Sequence, residues 1–270
     1  MMEFGCRTDK GLVRVNNEDF SGSATELDLF VLSDGMGGLE SGEVASRLAV
    51  DTVLDHCRKA AADSSLALVG EPIPGVSNVS NRLASAVRLA NATIYGESVR
   101  KQPGQGMGAT VVAVQFTDGR MSIAHVGDSR VYRVRDENLE QLTQDHSFVG
   151  EQVRQGTMTQ EQADATHLKN VLIRALGIDS EVEVDVSEEF VMDTDTILLC
   201  SDGLTRDLSD AQIFEILADA EGPQEAAHDL VKLAKQAGGG DNITAIVLRP
   251  ASRWACARGR LGVWGKWFGR

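Results

Sequence analysis

Most of the signatures that announce an enzyme class or a cellular address are missing from this chain of 270 residues. No CxxC pair occurs. Cys6, Cys57, Cys200 and Cys256 are scattered, which reads as free thiols in a reducing compartment, not a disulfide framework or a zinc ribbon. The histidines, at 56, 125, 146, 167 and 228, show no paired ligand spacing. There is no phosphate loop ending in Gly-Lys-Ser/Thr and no Gly-x-Ser-x-Gly elbow, which sets aside two large groups of nucleotide and ester hydrolases. The partial dinucleotide pattern Gly104-Gln105-Gly106-Met107-Gly108-Ala109 has a helix before it and a strand after it, the reverse of what that fingerprint needs. The first seven residues carry no apolar secretory core. No stretch is long and apolar enough to span a bilayer, so the expected location is the cytoplasm. Excess positive charge is lacking too. A net charge of −14 argues against nucleic acid or an anionic membrane as the partner of the body of the chain. No repeat at solenoid period is present.

What is present begins with four aspartates, each beside a glycine: Phe30-Val31-Leu32-Ser33-Asp34-Gly35, Gly127-Asp128-Ser129-Arg130, Leu198-Leu199-Cys200-Ser201-Asp202-Gly203 and Gly240-Asp241-Asn242. Any one Asp-Gly pair is by default a turn. That default weakens for Asp34 and Asp202, because each closes a run too apolar for a surface hairpin. Such a run is a strand that carries a carboxylate to a sheet edge. Carboxylates with backbone carbonyls select hard cations such as Mg2+, Mn2+ or Ca2+. Two such ions held roughly 3.5–4 Å apart activate water for in-line displacement. If the strand ends converge, Asp34, Asp202 and Asp241 can supply that site, and Gly35 lets its carbonyl approach an ion unobstructed. Glu18 and Asp19, which follow Arg14, read on composition alone as a solvated turn.

The apolar fraction, 42%, is ordinary and sufficient for one core domain. The pattern predicts a strand over 27–34, helices over 42–62 and 78–101 with a loop at 63–77, and then strands over 110–116, 121–126, 129–134 and 139–142. Thr117-Asp118-Gly119 suits a hairpin turn. Residues 145–170 are polar and poor in aliphatics, an excursion lying over the core. Strands return near 182–191, 196–201 and 243–248, with helices over 209–219 and 223–237. Long helices, a run of strands and helices again indicate α+β layers of mostly antiparallel strands.

The ordered motifs resemble a known family, the bacterial metal-dependent protein serine/threonine phosphatases of type 2C. They are Arg14-Val15-Asn16-Asn17-Glu18-Asp19, Asp34-Gly35-Met36-Gly37-Gly38, Gly108-Ala109-Thr110, His125 through Arg133, Leu142 through Ser147, Arg174-Ala175-Leu176-Gly177, Ser201-Asp202-Gly203-Leu204 and Gly239 through Thr244. The resemblance covers residues 4–249. It implies a four-layer α-β-β-α sandwich of two stacked antiparallel sheets, with a catalytic domain over 1–250 and a flap subdomain at about 145–190. It also implies hydrolysis of phosphoserine and phosphothreonine on proteins by a metal-bridging hydroxide, opposing a cognate serine/threonine kinase and needing no phosphoenzyme. By motif position Asp34 would bridge two core Mn2+ or Mg2+ ions, with the Gly35 carbonyl, Asp202 and Asp241 completing them. Asp128 would hold a third, weaker ion with Asp202. Glu18 and Asp19 would bind through water, and Arg14 would grip the phosphate as a bidentate fork, unless it is simply an ion pair with Glu18 or Asp19. Animal relatives carry histidine where this chain has Met36, so protonation of the leaving group falls to a metal-bound water. His125 and His146 read as scaffold. Two rivals share the fold: a phosphatase of anti-sigma-factor antagonists and a non-catalytic sensor module. The intact acids and Arg14 speak against the latter.

Residues 251–270 differ in character. They carry five basic residues and no acid, with Trp254, Trp264, Trp267 and Phe268. A basic aromatic tail suits a membrane interface or a partner groove, and equally an unstructured terminus. The first reading would place the protein peripherally on the inner membrane face.

Overall fold

The computed structural model describes residues 1–37, 41–101, 106–159, 162, 166, 168 and 171–251. Strands β1 (Met2–Asp9), β2 (Asp19–Ala24) and β3 (Leu29–Gly37) lead into helices α1 (Ser41–Ala62) and α2 (Asn78–Lys101). Strands β4 (Met107–Ala109), β5 (Val111–Thr117), β6 (Arg120–Val126), β7 (Arg130–Arg135) and β8 (Asn138–Gln141) follow. The short helix α3 (Phe148–Arg154), then β9 (Asp185–Phe190), β10 (Thr196–Cys200), α4 (Asp202–Thr205), α5 (Asp210–Asp219), α6 (Pro223–Ala237) and β11 (Ile243–Pro250) complete the described elements.

The strands form two sheets, all antiparallel. One runs β1-β11-β10-β7-β8; the other runs β2-β3-β5-β6-β9, with β4 paired to the far end of β3. Side-chain alternation explains the layers. On β3, Phe30 and Leu32 point between the sheets, where they meet Val131, Ile197, Leu199, Ile246 and Leu248 of the opposite sheet. Leu29 and Val31 point the other way, against Ala45, Ala49 and Val53 of α1 and Leu83, Val87 and Ala90 of α2. Likewise Leu198 and Cys200 of β10 face Ile213 and Leu217 of α5 and Leu230 and Ala234 of α6. Both faces of these strands are covered, which is why their sequence is a continuous apolar run and not an alternation. Each such buried Val, Leu, Ile or Phe side chain contributes about 1.5–3 kcal/mol through removal from water, and the alanines less. The four-layer α-β-β-α sandwich expected from the resemblance is the fold.

The predicted hairpin joins β5 and β6, with Asp118 and Gly119 both left-handed (φ 50° and 79°), the twist a two-residue turn needs. The glycines before β4 are preceded by a helix and followed by a strand, so the dinucleotide pattern is a coincidence. Three strands were not expected: β1, β2 and the three-residue β4. β1 is an edge strand, polar on its exposed face, paired to β11 along its whole length. Its Gly5 is required because a Cβ there would lie 2.2 Å from the Gln224 backbone of α6. β2 has only Phe20 as a large apolar residue, yet its register sets Asp19 directly opposite Asp34. The 3-10 turn Thr25–Leu27 takes the start of the predicted strand at 27, so β3 begins later and runs beyond Asp34. Of the excursion at 145–170, α3 is capped by Ser147, whose Oγ accepts the Gly150 N–H at 3.1 Å. Within that excursion and its continuation His167, Lys169 and Asn170 lie outside the described residues, as does the tail expected over 251–270 apart from Ala251. Among the described residues no helix is long and apolar enough to cross a membrane.

Candidate metal centre

Five carboxylates meet at one end of the sandwich, each brought by a different piece of chain. Asp34 lies near the end of β3, where the strand leaves β5 and pairs with β4. Its own N–H donates to Thr110 Oγ1 at 3.0 Å, and Thr110 N–H donates back to its carbonyl at 2.8 Å. The Gly108-Ala109-Thr110 motif is thus a brace for Asp34. Gly35 is held by close packing: a Cβ would lie 2.0 Å from Gly42 O and 2.8 Å from Glu18 O. The space its missing side chain frees is therefore occupied by the start of α1, a different need from the unobstructed ion approach inferred from sequence.

Asp202 opens α4 directly after β10, and Gly203 beside it allows the Asn242 carbonyl to come within 2.0 Å of where a Cβ would be. Asp19 is enclosed from the other side. Ser201 Oγ and Thr244 Oγ1 donate to its Oδ2 at 2.7 and 2.6 Å. Burial, outweighing these donors, raises its pKa to about 7, and Asp202 and Asp241 push in the same direction. Asp34 is raised well above the usual carboxylate range by burial and then by Asp19, Asp202, Asp128 and Asp241. Asp128, between Gly127 and Ser129, is raised to about 7 by burial and by Asp202. Asp202 is raised by burial against the pull of Arg206, and Glu18 at the rim is raised chiefly by burial. The geometry brings the acids together: Asp19 stands opposite Asp34 in the β2–β3 register and accepts from Ser201, the residue before Asp202, while a single guanidinium, that of Arg206, reaches both Asp202 and Asp241.

Arg14, on the loop between β1 and β2, ion-pairs with Asp241, not with Glu18 or Asp19. Its Nε lies 2.9 Å from Asp241 Oδ1, and its Nη2 donates to Oδ2 at 3.0 Å. Asn242 fastens that loop: its side chain donates to Lys10 O at 3.1 Å and Asn16 O at 2.9 Å, and accepts the Glu18 N–H at 2.8 Å. Sequence reasoning missed Arg206. One turn along α4 from Asp202, it reaches both Asp202 and Asp241. Burial opposes its charge, but the surrounding carboxylates raise its pKa. The signal was available as an Asp-Arg pair at i, i+4.

The expectation that no phosphoenzyme forms takes the chain to have no Cys-x5-Arg stretch, but Cys200 and Arg206 do have that bare spacing, which phosphatases with a cysteine nucleophile use. The structure removes that alternative. Cys200 is fully buried on β10 against the α5–α6 layer, and burial pushes its thiol up to about 12. A thiolate nucleophile needs the opposite shift.

The donor set can be tested against a hard divalent cation. Three buried side-chain polar atoms lack any hydrogen-bond partner among the described residues, and two are carboxylate oxygens of this cluster, Asp19 Oδ1 and Asp202 Oδ1. A buried, unpaired, repelling carboxylate is costly unless a cation meets it. All-oxygen donors are the set that Mg2+ and Mn2+ take. A cleft of about 860 Å³ opens beside Asp128 and Asp202 and runs between α3 and the start of α5.

A two-sheet sandwich with helices outside and an acidic, cation-ready pocket at one end defines the class of protein. Comparison with known proteins gives the family. Residues 14–234 match the protein phosphatase 2C family. The chain is 37% identical over 249 residues to the serine/threonine protein phosphatase PstP of Mycobacterium tuberculosis, covering 92% of this chain and 45% of PstP. It thus spans about half the length of that relative. It is 37% identical over 245 residues to the Listeria monocytogenes serine/threonine phosphatase Stp, covering 90% and 93% of the two chains. A crystal structure of PstP superposes with a TM-score of 0.79 at 35% identity, over 92% of this chain and 98% of that one. The PstP catalytic domain solved in complex with two manganese ions gives 0.75 at 36%, over 92% and 97%. The chain belongs to the protein phosphatase 2C family.

Proposed function

We propose that the chain hydrolyses phosphoserine and phosphothreonine on proteins, with two divalent ions, Mn2+ or Mg2+, as cofactors. The observation that carries this reading is the convergence of Asp19, Asp34, Asp128, Asp202 and Asp241 on one pocket with two carboxylate oxygens left unpaired. Asp34, which has the other acids around it, would hold both ions, and the Gly35 carbonyl, Asp202 and Asp241 would complete their ligands. Asp128 would hold a third, weaker ion together with Asp202. Glu18 and Asp19 would bind through water. When bound, paired divalent ions supply positive charge and lower the pKa of water.

The protein's own part is to bind and orient. Arg14 is half-exposed at the rim, its fork already set for two oxygens by Asp241. On substrate arrival it turns that fork to two phosphate oxygens, holding the group in line and stabilising the charge that develops on it. Arg206, paired with Asp202 and Asp241, would have to release both carboxylates for them to serve as cation ligands. Met36 has no proton to give, so the leaving oxygen is protonated by water. The flap at about 145–190 borders the cleft and contributes to substrate choice within a catalytic domain over 1–250. The relatives named as serine/threonine phosphatases, PstP and Stp, support a phosphoprotein substrate and, by extension, a kinase whose work is reversed. The basic aromatic stretch 251–270 is proposed as a peripheral membrane or partner contact. Deleting it should leave small phosphoester hydrolysis intact while reducing binding to anionic vesicles.

The test is hydrolysis of p-nitrophenyl phosphate with and without Mn2+, for wild type and Asp202→Ala. Turnover should require the metal and fall on the order of 10²–10³-fold in the variant, as for loss of a principal charge-stabilising group. Metal-independent turnover, or an unaffected variant, overturns the reading.

A further inference from the structure

His125 and His146 have no part in the proposed chemistry, yet they are buried together behind Asp128. Their rings stack with centroids 4.6 Å apart and planes 21° apart. His125, on β6, donates from Nε2 to Gln144 O at 2.9 Å. His146 grips a single residue from two directions. Its backbone N–H donates to Gly127 O at 2.9 Å, and its ring Nδ1 accepts the Gly127 N–H at 3.1 Å. An accepting Nδ1 puts the ring proton of the neutral imidazole on Nε2. Nε2 lies 3.2 Å from Asp185 Oδ2 on β9. Asp185 in turn accepts from Arg174 Nη1 at 2.5 Å, and Arg174 Nη2 reaches Glu183 Oε2 at 3.2 Å.

The neighbouring residues tighten the same attachment. Arg130, two residues after Asp128, forks onto Asp145, the residue before His146, at 2.9 and 2.7 Å. Gly127 itself has φ 109°, and a Cβ on it would lie 2.6 Å from the Thr110 side chain. Its peptide therefore has little room, and a rotation there re-aims Asp128.

The side chains of His125, His146 and Asp185 are close enough together to suggest a separate cation site. That alternative fails on its partners. His146 Nδ1 is engaged by Gly127, and the Arg174 guanidinium already stands 3.1 Å from His146 Nε2 and on Asp185.

We propose that His146 is the positioning residue for Asp128, with Asp185 and Arg174 fixing its ring and tautomer. The segment leaving the flap, through Arg174, is thereby connected to a metal-binding carboxylate. This rests on the reading of Asp128 as a metal ligand, and outer partners of ligands commonly govern about 10–100-fold in metal affinity.

The test uses the full chain, freed of metal, titrated calorimetrically with Mn2+, alongside kcat and KM for p-nitrophenyl phosphate. The variants are Asp128→Asn, His146→Phe, the two combined, and His146→Asn. Phenylalanine keeps the stack on His125 but cannot accept from Gly127; asparagine can accept through its side-chain oxygen. His146→Phe should weaken the weakest class of Mn2+ sites about tenfold, with kcat reduced and KM little changed. Combining it with Asp128→Asn should add nothing, because both act through one carboxylate. His146→Asn should stay within about threefold of wild type. Wild-type Mn2+ binding in His146→Phe, or losses that multiply in the double variant, overturns the positioning role. If Asp128→Asn itself leaves Mn2+ binding unchanged, Asp128 is not a ligand, and the positioning role falls with that reading. If His146→Phe fails to fold, Asp185→Asn, which removes the carboxylate facing Nε2, replaces it, with a loss in the same class of sites as the expected result and none as the overturning one.

Discussion

The middle of the sandwich and its acidic end are built from the same strands and obey opposite rules. Between the sheets β3 and β10 present Phe30, Leu32, Ile197 and Leu199, all buried and apolar. A few residues further along, the same strands lead to Asp34 and Asp202, half-buried, where desolvation and then the neighbouring carboxylates raise their pKa values. The first region releases free energy on folding; the second costs it, and carries the chemistry. A site of this kind persists only because rigid strands on both sides force the acids together.

Separating the two regions experimentally begins with the largest effect. Leu199→Ala, in the fully buried middle, should cost about 2–5 kcal/mol of stability, read as a lowered denaturation midpoint, while the activity of the molecules that remain folded is kept. A large loss of activity per folded molecule would mean that the middle and the end are not separable. Arg14→Ala tests the other region. Removing a half-exposed fork that rests on Asp241 until substrate arrives should lower kcat/KM about 10–100-fold, or about 1.4–2.7 kcal/mol, with the melting temperature little changed because an exposed ion pair contributes little. A variant with unchanged kcat/KM would remove Arg14 from phosphate binding.

Legibility in the sequence follows the same division. α1, α2, α5 and α6 are long and periodic, and β3 and β10 are unbroken apolar runs, so all six could be read directly. β1 and β2 could not. β1 is an edge strand with polar residues, and β2 has Phe20 as its one large apolar residue, so neither carries an apolar pattern. Missing β2 meant missing why Asp19 matters, since only the β2–β3 register sets it opposite Asp34. The converging aspartates were legible because each closes or punctuates a motif. Their partners were not: Arg14 meets Asp241, and Asn242 meets Lys10 and Asn16, across most of the chain's length. Those contacts come from tertiary closure, which no local pattern encodes.

Protonation gives a finer comparison of the two regions. Asp19 and Asp128 have folded pKa values near 7, raised from an ordinary carboxylate. In metal-free protein the folded state therefore holds protons that the unfolded state has released. Their stabilising contribution is full below the unfolded pKa and is lost as pH rises toward about 7. Metal-free protein should melt at a higher temperature at pH 5.5 than at pH 8, and saturating Mn2+ should reduce the difference. Equal melting temperatures at the two pH values without metal would show that the acids do not repel as the packing implies.

The smallest expected effect isolates one acid. In Asp19→Asn the side-chain oxygen can still accept from Ser201 and Thr244, which now donate to Oδ2, while the negative charge among Asp34, Asp202 and Asp241 is gone. At pH 8 the metal-free variant should melt about 2–4 °C higher than wild type, equivalent to roughly 1 kcal/mol in a chain of this size. At pH 5.5, where wild-type Asp19 is already protonated in the folded state, the gain should shrink. Mn2+-dependent hydrolysis should fall at both pH values. A variant that is less stable at pH 8 would mean that the ionised carboxylate holds Ser201 and Thr244 in place by more than it repels its neighbours, and that β2 is a structural strand first and part of the metal centre second.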